Sequence, residues 1–181
     1  MGRSAVFALA LVVAVSFTAR ADTSTPPAGQ TKVAPAPSGP PSVLATLQRT
    51  ACFGTCPVYK VTLYTDGRVV FDGEHFVKAR GRHEGLATPA AIAAVRRAVA
   101  DANYLALDEH YDCYEVTDNP SANTSFNDAG HHKSITHYYG CPKAPKGLFT
   151  VEHAIDEAAQ VEKWVGTRKE REKLRAAGKL N

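Results

Sequence analysis

Four cysteines, seven histidines and a scatter of carboxylates are the residues of this 181-residue chain whose types could do chemistry. Cys52 and Cys56 are separated by three intervening residues in the stretch CFGTCPVYK, which runs from Cys52 to Lys60. Gly54 takes positive φ at little cost, and Pro57 has no N–H to give a helix. Three chemistries share that spacing: a small disulfide ring, half of a metal site, and a redox-active pair. A zinc site would need a second ligand pair. A thioredoxin-like pair would be C-x-x-C opening a helix in a βαβ setting, and neither feature is present. A structural disulfide is the preferred reading.

The N-terminus supplies the compartment in which such a bond would persist. Arg3 is followed by an almost wholly apolar run from Ser4 to Thr18, and Ala19-Arg20-Ala21 then fits an A-x-A cleavage site. This predicts a signal peptide over residues 1–21 and an exported protein, periplasmic or secreted. The run falls short of the ~20 residues that a membrane span needs. Retention as an N-terminal anchor is the alternative, and no transmembrane span is expected after cleavage. In an exported chain, disulfides are the default for all four cysteines. Three pairings are formally open. The preferred one joins Cys52 to Cys56 and Cys113 to Cys141, because a short gap closes readily in a glycine-containing loop. The expectation is two disulfides and no free thiol.

Other clusters carry less. His131, His132, His137 and Cys141, with His110 and Asp112 upstream, have metal-ligand types. On one strand, however, His131 and His137 would lie roughly 20 Å apart, so no metal set is assigned. Asp108, Glu109, Asp112, Glu115 and Asp118 lack the D-x-D-x-D-G order of a calcium loop. There is no G-x-S-x-G elbow, P-loop or dinucleotide-binding glycine pattern, so no catalytic residue is named and no cofactor is called for. Asn123-Thr124-Ser125 is a glycosylation sequon, relevant only in a host that glycosylates.

The motif C-F-G-T-C-P-x-Y, followed by a strand, a D-G turn and a second strand, resembles a bacterial exported family known as domain of unknown function 6438. The likeness runs from about Leu47 to Trp164 and includes a later T-D-x-P from Thr117 to Pro120. The resemblance implies an exported globular domain and brings no chemistry with it.

The elements that would position these residues follow from periodicity. Residues 22–42 hold six prolines and almost nothing bulky and apolar, which predicts a disordered linker. A globular domain is expected over residues 43–166, opening with a strand from Val43 to Thr50. Tyr59, Val61 and Leu63 alternate along a second strand, Val58 to Thr65, and Asp66-Gly67 is a hairpin signal of type I′. The third strand, Arg68 to Gly73, would then set Leu63 opposite Val70 and Thr62 opposite Phe71. That register puts Tyr64, Val69 and Phe71 on a second, partly apolar face. Phe76-Val77 and Arg82 to Leu86 are weaker strand candidates. Thr88 and Pro89 read as the N-cap and first position of a helix carrying Ile92, Val95 and Val99. A second hairpin is expected from Asn123–Asn127 and His131–Tyr139, turning at Asp128-Ala129-Gly130. A second helix is expected from about Leu148 to Val165, stopped by Gly166.

Residues 43–166 carry twelve Lys/Arg against fifteen Asp/Glu, net −3, while residues 167–181 carry six against two, net +4. The basic C-terminal tail is read as a solvated helical extension in preference to an anion-binding arm, and no nucleic-acid partner is expected. The fold class is α+β: an antiparallel sheet of five or six strands, disulfide-stapled, with two helices mainly on one face. The preferred function is a non-catalytic binding or envelope-associated module with an envelope or extracellular partner. The alternative is a small hydrolase or thiol-redox enzyme using a cleft beside the CFGTCP loop. Phe53, Thr55, Tyr59, Asp112 and Asp118 are the candidate ligand-binding residues. A pocket with convergent polar groups near Tyr59, Asp112 and Asp118 would favour the enzyme, and a smooth surface there the binding module.

Overall fold

The computed structural model describes residues 40–113 and 117–180; the expected signal peptide, most of the expected linker, and Glu115 lie outside them. β1 (Val43–Arg49) joins two hairpins that are distant in sequence. On one side it pairs with β2 (Val58–Tyr64), which leads to β3 (Arg68–His75) and β4 (Gly81–Leu86). On the other it pairs with β6 (Ser121–Asp128), which leads to β7 (His131–Tyr138) and the two-residue β5 (His110–Tyr111). The order is β4-β3-β2-β1-β6-β7-β5, antiparallel except for the β5–β7 edge. The α+β architecture is as expected, with seven strands where five or six were predicted. The extra strand is β5, hidden from periodicity because two residues show no alternation.

The first hairpin corrects the predicted register. Val61 faces Phe71, Thr62 faces Val70 and Leu63 faces Val69. The Gly67 N–H donates to the Tyr64 carbonyl at 3.0 Å, and only Gly67 in this loop has positive φ, +89°. The loop therefore has three residues, the pattern of a type I turn closed by a glycine bulge. A one-residue slip exchanges faces. Val69 and Phe71 accordingly join Val61 and Leu63 in the core, leaving Lys60, Asp72 and Glu84 exposed on the other face. One face of the sheet is apolar and covered; the other is mainly polar, with Val70 and the exposed Leu86 set among its polar residues. Phe76-Val77, a strand candidate, lies instead in the turn between β3 and β4.

The type I′ geometry expected at Asp66-Gly67 occurs at the second hairpin. Asp128 pairs with His131, and the two-residue loop Ala129-Gly130 has φ of +48° and +83°. Alanine is strained there by its Cβ, whereas asparagine enters the left-handed region readily. Ala129→Asn should stabilise the domain by about 0.5–1 kcal/mol, read as a higher urea midpoint. An unchanged or lower midpoint would contradict this account of the turn.

α1 (Pro89–Asp101) begins as predicted, with Thr88 Oγ1 accepting the Ala91 N–H at 3.1 Å. It packs with α2 (Lys146–Ala159) over the apolar sheet face. The second helix is not the continuous run expected to Val165. It stops where Gln160 adopts φ +53°, and α3 (Glu162–Val165) sets off in a new direction. The break lets Trp164 stack on Phe71 with ring centroids 5.0 Å apart. It also turns the Trp164 and Val165 carbonyls to the Ala79 and Lys78 N–H groups at 2.8 and 3.1 Å. Those contacts outweigh continued helix periodicity. α4 (Arg168–Ala176) opens with a capping box between Thr167 and Glu170. Hydrogen bonds from the Thr167 N–H and hydroxyl hold the Glu170 carboxyl down at about 2.

Both expected disulfides are present, Cys52–Cys56 and Cys113–Cys141, and no cysteine is free. Among the described residues, no helix is long and apolar enough to cross a membrane.

Candidate functional site

Arg49 is the last residue of β1, and strand alternation puts it on the core face two residues after Leu47. Its cross-strand partners are Tyr59 on β2 and Ala122 on β6, and Ala122 in turn pairs with His137 on β7. The row Tyr59–Arg49–Ala122–His137 thus crosses the covered face of the sheet. Small Ala122, fully buried, leaves room above it for the longer side chains. α2 lies over this row and contributes Phe149, Glu152, His153 and Asp156, whose spacings of three, four and seven place them on one helix flank.

The polar groups close into a chain. Arg49 Nη2 donates to Asp156 Oδ2 at 2.6 Å, and Arg49 Nε donates to the same oxygen at 3.1 Å and to the Tyr59 hydroxyl at 2.9 Å. The Tyr59 hydroxyl donates to Asp156 Oδ1 at 2.9 Å. Arg49 Nη1 donates to the Tyr139 hydroxyl, which donates to Glu152 Oε2 at 2.5 Å. Glu152 Oε1 accepts from His137 Nδ1 at 2.6 Å. The far ring nitrogen of His137, Nε2, is buried with no partner among the described residues.

Burial works against ionisation at Arg49, Asp156, Tyr59 and Tyr139. It opposes the Arg49 charge, but Asp156 and the two phenols outweigh it and hold the guanidinium well above its ordinary value. At Asp156 burial wins over Arg49, and the carboxyl sits above the usual carboxylate range. Burial, reinforced by Asp156, also raises the Tyr59 phenol far beyond the ordinary tyrosine range; burial with Glu152 does the same to Tyr139. These phenols therefore keep their protons at neutral pH and donate hydrogen bonds to Asp156 and Glu152.

A cleft of about 530 Å³ opens above the Arg49–Asp156 pair. Cys56 and Pro57 of the CFGTCP loop form one side; Tyr139, Phe149 and His153 form another, with Arg171 of α4 also lining it. Phe149 is 38% exposed, an apolar surface left to the opening.

Of the residues singled out in the sequence, Tyr59 lies in this cleft. Phe53 and Thr55 are exposed on the loop. Asp118 sits behind the loop, its carbonyl accepting the Phe53 N–H at 3.1 Å. Asp112 follows β5, on the far edge of the sheet. The structure thus groups Phe53, Thr55 and Asp118 around the loop, Tyr59 in the cleft, and Asp112 with neither. His131 and His132 are exposed at the start of β7, and Cys141 is tied in its disulfide. Among the described residues, no group of three or more His, Cys, Asp or Glu converges on a metal position. Arg49, Tyr139, Glu152 and Asp156 were not singled out. One signal was there: Ala45, Leu47 and Arg49 share a strand face, so a cation on that face requires a buried anion opposite.

A family model described as "Domain of unknown function (DUF6438)" matches residues 43–159. The chain belongs to that family. No functionally curated protein matches the chain. The DUF6438 span begins at the first residue of β1 and ends at the last residue of α2. It therefore contains Arg49, Tyr59, His137, Tyr139, Glu152 and Asp156, the whole of the buried network. Arg171 and α4 fall outside the DUF6438 match, so the cleft combines matched residues with residues that follow them in the chain.

Proposed function

We propose that this DUF6438 protein is an exported, non-catalytic binding module whose ligand seats in the cleft beside the CFGTCP loop. The observation that carries the reading is the state of the cleft floor. Both oxygens of Asp156 in that floor, and both of Glu152 buried behind Tyr139, are engaged by side chains of the domain itself, and the phenols between them hold their protons. A rigid polar floor under aromatic walls suits a ligand with an apolar body and a hydrogen-bonding end. The two disulfides accord with export.

The enzymatic alternative has a specific observation of its own. Convergent polar groups do surround Tyr59, and His137 is a carboxylate-backed imidazole with a spare ring nitrogen. Tyr139 and Glu152 link that imidazole to the cleft.

Titration of the full chain with benzoate, phenylalanine and indole, followed by NMR, separates the two. The binding reading expects shift changes clustered at Tyr139, Phe149 and His153, lost when Phe149 and His153 are both alanine, with each probe recovered unchanged. Conversion of a probe, or the absence of any response at those residues, would overturn it.

A further inference from the structure

Among the described residues Phe53 is the most exposed large apolar one, at 89%, and it is not on a loose tip. The Cys52–Cys56 bond closes the ring that carries it, and its N–H is fastened to the Asp118 carbonyl. A single exposed apolar side chain needs no explanation. The neighbourhood of this one does. α4 runs beside the loop, so that Arg168, Arg171 and Arg175 line one groove together with Phe53, and Leu180 is buried there. α4 carries five Lys/Arg and two Glu. Glu172, the acidic group in the groove, is paired with Arg168 at 2.9 Å, and Glu170 is committed to the helix cap and to Lys78. Arg168 is itself 88% exposed. Arg175, Lys169 and Lys173 also face water, so α4 presents a net positive charge even with Arg168 paired to Glu172.

We propose that the CFGTCP loop and α4 together form a docking surface for an anionic lipid bilayer, with Phe53 entering the interface and the α4 cations meeting the headgroups. Charge complementarity selects the anionic surface, since cations near such a membrane are each attracted to it. The fixed aromatic ring selects a bilayer over a soluble polyanion, because aromatic rings gain by settling at the boundary between headgroups and acyl chains. The tail expected from sequence alone to be a solvated extension becomes, with the loop beside it, half of a surface.

The test reads position 53 itself, because residues 4–18 are apolar enough to engage a bilayer unaided. The full chain carrying Phe53→Trp is mixed with vesicles of phosphatidylcholine, with or without phosphatidylglycerol, and the unsubstituted chain supplies the Trp164 background. The proposal expects a blue shift of the new tryptophan and its quenching by brominated lipid, with phosphatidylglycerol present, both reversed by salt. Adding Arg168→Ser and Arg175→Ser should raise the anionic lipid needed for half the shift on the order of 20-fold. All three positions are exposed, and circular dichroism verifies that each variant is folded. No shift in either vesicle, or an equal shift in both that ignores the arginines, would overturn the proposal. So would binding of heparin that depends on the arginines while position 53 stays in water, which would assign the cations to a soluble polyanion.

Discussion

Replacing Asp156 with alanine lowers the stability of the folded domain by about 3 kcal/mol, the low end of the cost of breaking a buried ion pair. The carboxylate and its partner Arg49 keep 14% and 17% of their side-chain surface, so solvent relieves part of the loss. What remains is an arginine aimed at an empty place, and a Tyr59 hydroxyl that has lost its acceptor. Arg49→Met should cost a similar amount, since it strands Asp156 under the aromatic walls. The informative variant is the double one. Burial outweighs Arg49 in setting the proton affinity of Asp156, so the carboxylate is worse placed here than in water. A hydrophobic pair is then no poorer a solution, and Arg49→Met with Asp156→Leu should recover most of the loss. Urea unfolding of the three variants gives the coupling. If the double loss equals the sum of the single losses, the pair is not a unit and this account of the site fails.

That result bears on function as well as stability. A buried charge pair that apolar residues could replace at little cost to folding is a candidate for retention by use. The linkage sign agrees. Because the folded Asp156 holds its proton more tightly than the unfolded chain would, this group adds stability below the unfolded carboxyl pKa and loses it as pH rises through the folded value. The effect is opposite to that of a carboxylate kept for its stabilising ion pair.

What was legible in the sequence was local. Thr88-Pro89 marked the start of α1 because cap chemistry is decided within one turn. The two hairpins were legible because turn residues stand between alternating runs. Register was not, since Asp66-Gly67 suits both a two-residue and a three-residue loop, and the one-residue difference moved Val69 and Phe71 to the other face. The end of α2 was invisible for a different reason. Val161 and Val165 continue the helical stripe, but Trp164 gains more by stacking on Phe71, ninety-three positions earlier in the chain. Of the site, Tyr59 was legible through its nearness to the loop. Arg49, Tyr139, Glu152 and Asp156 were not, because a row across the sheet exists only after β1 has paired with both β2 and β6.

Removing the Cys113–Cys141 bond, with alanine at both positions, should cost about 3.5 kcal/mol, against about 2 kcal/mol for Cys52–Cys56 treated the same way. The difference begins with loop length, since the bonds span sequence separations of 28 and 4 and the entropy term grows with the logarithm of the closed loop. Packing widens it. Cys141 is 6% exposed within the core cluster, with Cys113 against it, so truncation there also opens a cavity. Cys52 and Cys56 belong to a surface loop, and relaxation there exposes little that was dry. Urea midpoints of the two double variants rank the bonds, and the reverse order would contradict the assignment of the larger ring as the main staple. The small ring has a separate consequence. Cys52→Ala with Cys56→Ala should leave a folded domain in which Phe53 is no longer held beside α4, so the vesicle response at position 53 weakens more than the stability loss explains. Breaking the large ring, measured where the domain is still folded, should leave that response intact. A small ring that mattered only to the urea midpoint would make the CFGTCP loop a staple and nothing more. The fixed exposure of Phe53 would then be an accident of closing five residues on themselves.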